Sequence, residues 1–332
     1  MKHWFLWGLV SVVFHSCSSP TPVNQNPNIT ADNLVEEIAK QVKHYPSEKI
    51  YGIEYSNNDC FFDVFVDGLK VYTNFNRAEA GNSGTEINHL LFHSGTHSVT
   101  YKLFPIYHLE EYGITKNTLT DYSDLILNLY FYDLKGDVSR EVTYPEHQVP
   151  KIKVTSQGDT IYKFAGAGKT YYEGSFEVEV DLPYQLQPPF ATAQDLRKMD
   201  QKQLMTKLLT KYKEVWQIYK NRELDNIARI EFDNLKNLFV STYADIETIR
   251  ENWNAYYEIY KKAPLEMQPI ANYKLEFFAD GKLVALMLDT KDNRFRGNTA
   301  LWAKVDYEGG VRPLFLNRNF YIPQGETEFK VY

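Results

Sequence analysis

Three histidines recur at every fourth position, His89, His93 and His97. Imidazole nitrogens are common zinc and copper ligands, so a segment that brought all three to one face would offer a transition-metal site. In INHLLFHSGTHSVTYKLF the Ser94-Gly95 pair supplies a turn, and a hairpin about it sets His93 and His97 near the turn with His89 on the face of His93. No glutamate accompanies them as in H-E-x-x-H. Polar decoration of an exposed hairpin face explains the same residues, and neither a metal nor another cofactor is expected.

The remaining chemistry is thinner. Gly166-Ala167-Gly168-Lys169-Thr170 ends like a phosphate-binding loop, but Lys163 stands where the leading glycine belongs and the following residues read as a strand. A flexible turn is the expectation. A G-x-S-x-G elbow is absent from the sequence. Cys60 falls on the apolar face of a strand beside Phe62, the position of an inert thiol. Asp289, Asp292 and Asn293 near Gly297 miss the spacing of a calcium-binding EF-hand and read as a solvated loop. No catalytic residue is assigned, and a binding role is favoured over an enzymatic one.

The elements that carry these residues change grammar along the chain. Thr30 can cap a short helix within 31–47, with Leu34, Ile38 and Val42 on one face, covering an end of the next domain. From 48 to 187 the period is two: CFFDVFVDGLKVYTNF is a hairpin turning at Asp67-Gly68, and LILNLYFYDL, KIKVTS, DTIYKF and SFEVEVDL are further strands. Many short strands between turns predict an antiparallel β-sandwich. Across 188–264 the period becomes helical, with no Pro or Gly from Thr192 to Ala263. Asp200 and Gln203 form a capping box, breaks fall near Asn221 and Tyr243, and three amphipathic helices make a hairpin or small bundle. From 265 to 332 strands return as a small antiparallel module in which YKLEFFADGKLVALML and NFYIPQGETEFKVY echo the two earlier hairpins. The fold class is therefore α+β.

Ahead of all this, Trp4 to Phe14 is an uncharged run after Lys2 and His3. It is shorter than the roughly 20 residues of a spanning helix and suits a signal peptide over 1–16. Ser16-Cys17 at its end resembles the lipidation site of bacterial lipoproteins. Phe14 and His15 depart from the usual Leu and small residue, a looseness similar to that of Bacteroidota lipoprotein signals. The resemblance implies that Cys17 carries lipid, that the proline-bearing stretch 17–30 is a tether, and that the protein is anchored in the cell envelope. Ser18-Ser19 lacks an acidic surface-export run, which points to the periplasmic face of the outer membrane. Lipoproteins of this style include immunity proteins that bind a delivered toxin and glycan binders of uptake systems.

The formal charge of −7 argues against nucleic acid as a partner and favours a basic one. The 15% aromatic content leaves rings for a contact face, and Tyr72, Tyr101, Trp302 and Tyr307 are candidates because they lie in strand modules. The expectation is an envelope-anchored, non-enzymatic macromolecule-binding protein, protein-binding in the manner of immunity proteins. The alternatives are a glycan-binding lipoprotein and a glycan-processing enzyme.

Overall fold

A computed structural model describes residues 22–109, 113–137, 141–156, 159–261, 265–307 and 309–332. Its first element is the short helix α1 (Leu34–Ala39). Thr30 Oγ1 accepts from Asn33 N at 3.2 Å, and Thr30 N donates to the Asn33 amide oxygen at 2.8 Å. The helix buries Leu34, Val35 and Ile38 against the later helices, not against the strand domain as expected, and Trp253 Nε1 ties it down by donating to Ala31 O. The stretch before it is also no free tether. Val23 and Ile29 are buried, and Gln25 exchanges two hydrogen bonds with the backbone of Val331.

Among the described residues eleven strands follow: β1 (Lys49–Asn58), β2 (Phe61–Val66), β3 (Leu69–Asn74), β4 (Glu79–Glu86), β5 (Gly95–Phe104), β6 (Asp124–Asp133), β7 (Val142–Thr143), β8 (His147–Gln148), β9 (Lys151–Ser156), β10 (Asp159–Phe164) and β11 (Tyr172–Val180). One antiparallel sheet runs β4-β1-β6, with β7 and β8 both on β6, and a second runs β11-β5-β2-β3. They close on a shared core in which Ile53 and Leu127 meet Phe62, Val64, Val99 and Leu103. The Asp67-Gly68 hairpin forms as read, Val66 opposite Leu69.

The second expected hairpin does not form. Asn88–Leu90 is a single 3-10 turn, and β5 pairs with β2 and β11 instead. Both edges of β5 are thereby taken, and Asn88 is a fully buried amide that accepts from Tyr51 N at 2.6 Å and donates to Lys49 O and Ser241 O, both at 2.9 Å. Its side chain takes backbone groups of β1 just beyond that strand's pairing with β4. Unforeseen, β4 carries no apolar alternation because it is an edge strand on β1.

Three helices come next, α2 (Gln201–Asn221), α3 (Leu224–Ser241) and α4 (Ile246–Lys261). Asp200 caps α2 by accepting from Gln203 N at 2.9 Å, and left-handed Arg222 and Tyr243 mark the breaks. They do not stand as a separate bundle. Their apolar faces share one core with the C-terminal strands β12 (Leu265–Met267), β13 (Tyr273–Phe278), β14 (Leu283–Leu288), β15 (Trp302–Tyr307), β16 (Gly310–Phe315), β17 (Phe320–Tyr321) and β18 (Lys330–Val331). These form two antiparallel sheets, β12-β15-β16 and β13-β14-β17-β18.

The apolar run LVALML of β14 fits a strand covered on both faces. Val284, Leu286 and Leu288 meet the helices, whereas Leu283, Ala285 and Met287 join Phe65 and Leu69 of the N-terminal domain. The sheet β13-β14-β17-β18 thus lies between the helices and the outer face of the second N-terminal sheet. Each fully buried Leu or Phe in such a layer contributes about 1.5–3 kcal/mol.

Candidate functional site

Strand alternation places the site. Phe62, Val64 and Val66 turn into the sandwich core, so Phe61, Asp63 and Phe65 turn out, joined by Lys102 and Phe104 on β5. Opposite them stands β13, whose Lys274, Glu276 and Phe278 share a face with Met287, Ala285 and Leu283. Between the two surfaces lies a cleft of about 840 Å³. Six cations line it, Lys70, Lys102, Lys116, Lys274, Lys291 and Arg296, against the three carboxylates Asp63, Glu276 and Asp289. An acidic chain has built a cleft with twice as many positive as negative groups.

Several of these charges are already matched. Lys116 pairs with Asp59, Lys274 with Glu276 at 2.8 Å, and Lys102 reaches Glu173 only at 4.0 Å. Lys70 Nζ donates to Gly297 O at 3.2 Å and lies 6.0 Å from the Phe65 ring centroid. Asp63 is 8% exposed and accepts from the Thr73 hydroxyl. Burial raises its pKa, with Lys70 and Thr73 opposing.

Arg296 is different. Its guanidinium sits 4.0 Å from the Phe75 centroid and 5.2 Å from that of Phe104. Among the described residues no carboxylate lies within ion-pair distance of it. Burial lowers its pKa, Asp63 pulling the other way, but a guanidinium remains charged under any physiological condition. The cleft can therefore receive an anion at a preorganised planar fork flanked by rings.

Of the residues singled out in the sequence, Asp289, Gly297 and Thr170 border the cleft, while the histidines and Cys60 lie elsewhere. His89 is half-buried on the 3-10 turn, and burial lowers its pKa. His93 and His97 stack with centroids 4.8 Å apart. Both nitrogens of His97 are engaged, Nδ1 with Asp67 Oδ2 at 2.6 Å and Nε2 with His93 O at 2.9 Å. The three imidazoles do not share a face, because the hairpin that would align them is absent. Among the described residues, no group of three or more His, Cys, Asp or Glu could hold a metal ion.

Tyr101 is 2% exposed, its ring accommodated by Gly174 directly opposite, and burial pushes its pKa up to about 12. Tyr72 stacks on Tyr55 at 4.4 Å, and Trp302 packs on Phe295 at 5.2 Å. Tyr101 is a core residue, and Tyr72 and Trp302 are half-buried and pack against the cores. The Tyr307 side chain and Cys17 lie outside the described residues. Cys60 is buried, its thiol donating to Asp124 O at 3.2 Å, and burial raises its pKa. The GAGKT stretch is a turn before β11. Asn293 donates to the carbonyls of Tyr107 and His108 at 2.7 and 3.1 Å, so its loop clasps the two halves of the cleft.

Sequence reasoning placed β13 in a hairpin but missed Arg296, Lys70, Lys102 and the position of β13 beside the sandwich. One signal was present: FFDVFV is aromatic at both parities, which marks a strand covered on both faces and hence a second layer over the sandwich. No protein-family model, curated protein or solved structure matches this chain. Among the described residues no helix is long and apolar enough to cross a membrane.

Proposed function

We propose that the protein is an envelope-anchored, non-enzymatic receptor that holds a segment of another protein in the cleft between its sandwich and its C-terminal sheet. The observation that carries this reading is the cleft itself, assembled from both halves of the chain and lined with aromatic rings and excess cations. Its charge balance supports an acidic partner segment in place of the basic partner suggested by net charge. The lipid anchor at Cys17, the periplasm-facing position on the outer membrane and the likeness to immunity proteins belong to the same proposal and rest on the signal-like start. A second reading, glycan processing, draws on one feature, the buried Asp63 with its raised pKa near Glu276.

The test is capture from the native envelope. The full chain should sediment with washed membranes and Cys17→Ser should not. The soluble variant should retain a protein partner that is lost when Thr170→Trp fills the rim of the cleft. Retention of a polysaccharide and no protein would sink the receptor reading. Turnover of that polysaccharide, abolished in Asp63→Asn, would install the enzyme in its place.

A further inference from the structure

We infer that the bound segment is an extended, acidic stretch of polypeptide that adds as an outer strand to β13 and sets one of its carboxylates on Arg296. This inference rests on the receptor reading and names its ligand. Among the described residues β13 is the outermost strand of its sheet, paired only with β14. Among the described residues, no hydrogen bond from another segment reaches the backbone of Tyr273–Phe278. The cleft is lined by the unbroken run Lys274 to Phe278. Successive strand side chains point to opposite faces, so a continuous run borders one cavity along its backbone edge. That edge turns N–H and C=O groups outward at the repeat of another strand, the template used in β-strand addition.

Charge selects the occupant. Among the described residues Arg296 is held between two phenyl rings with no acid partner, and Lys70 and Lys291 carry ring contacts but no ion pair. A ligand carboxylate would meet the guanidinium by a bidentate, charge-assisted contact, while a lysine-rich strand would add like charge to a cleft already in positive excess. A uronate sugar could satisfy Arg296 but has no groups at the spacing of the β13 edge. The two features together therefore favour peptide over glycan.

The experiment titrates the full chain carrying Cys17→Ser with four probes: an alternating valine–glutamate peptide, the same peptide N-methylated at every second residue, a valine–lysine peptide and an oligogalacturonate. The valine–glutamate peptide should bind and slow amide exchange along β13. N-methylation should weaken it about tenfold or more, and the lysine peptide should not compete. Arg296→Gln should weaken the acidic peptide by about tenfold to a hundredfold, Arg296→Lys by less, and the exposed Arg294→Gln not at all. Thermal melting of each variant separates lost binding from lost fold.

Equal affinity for the N-methylated peptide would overturn strand addition, an unchanged Arg296→Gln would overturn the carboxylate contact, and oligogalacturonate binding as tightly as the peptide would make the ligand a sugar. No binding of the acidic peptide would overturn the inference outright. The envelope capture is read separately: a protein partner displaced by Thr170→Trp without any affinity for the acidic peptide leaves the receptor standing and removes only this inference.

Discussion

His97 illustrates what a single residue type can conceal. Burial disfavours its charged form, but the bond to Asp67 and the His93 carbonyl outweigh it, and its pKa is raised above 6.5. For Asp67, burial is likewise outweighed by His97 and the Ser98 amide, and its pKa is lowered from 3.8. The sign of each shift gives the pH window. A raised histidine contributes stability fully below its unfolded value and loses it as pH climbs through the folded one. A lowered aspartate contributes above its unfolded value and loses it in acid. The pair therefore holds the Asp67 turn best between pH 3.8 and 6.5. His97→Gln should cost more stability in urea unfolding at about pH 5.5 than at about pH 8.5, and an equal cost at both would show the imidazole acting by shape alone. The sequence offered His97 as a metal ligand because spacing is legible and partners are not: Asp67 lies 30 residues away.

At the scale of elements, what could be read were the features set by local rules. The two Asp-Gly hairpins, the Asp200 cap and the helix breaks each follow from a neighbouring residue's backbone preference. What could not be read was how they meet. Gly68 and the Ala279–Gly281 turn dock on one another, with Ala279 N donating to Gly68 O at 3.1 Å. A Cβ on Gly68, whose φ is +73°, would sit 3.1 Å from the backbone N of Ala279. Gly68→Ala should thus lose about 2–3 kcal/mol, since left-handed strain adds to a contact with a rigid neighbour. Gly309→Ala, with similar φ of +74° and open space around it, should lose only about 1 kcal/mol. Comparable losses in denaturant titrations would mean that turn docking contributes nothing.

For the whole molecule, the α+β class was legible from the two changes of period, and the layering was not. The buried polar residues of α3 explain why: Glu231 looks like a solvated position until Arg318, from the loop after β16, is seen to grip it through Nε, at 2.7 Å, and Nη2. The cleft was hidden for the same reason, since its cations come from β3, β5, β13 and distant loops. The first described residues belong to this closure. Gln25, 7% exposed, donates to Val331 O at 2.8 Å and accepts from Val331 N at 2.9 Å. Gln25→Ala leaves both groups buried without a partner and should destabilise the protein by about 2–4 kcal/mol. Chemical denaturation matching the parent within about 0.5 kcal/mol would show that water replaces the amide.

That clip also decides where a load would fall. For a receptor held through its N-terminal side, drag on a captured partner pulls residue 22 away from the body. Force then reaches Gln25 and the Asn26 side chain, which bonds Arg229 O and Asp233, before it reaches α1. β18 is joined to β17 through two residue pairs, flanked by Asn319 and Tyr332, whose backbones exchange hydrogen bonds at 2.7 and 2.8 Å. Strain passed on by Gln25 would load that short strand, whose residues do not line the cleft.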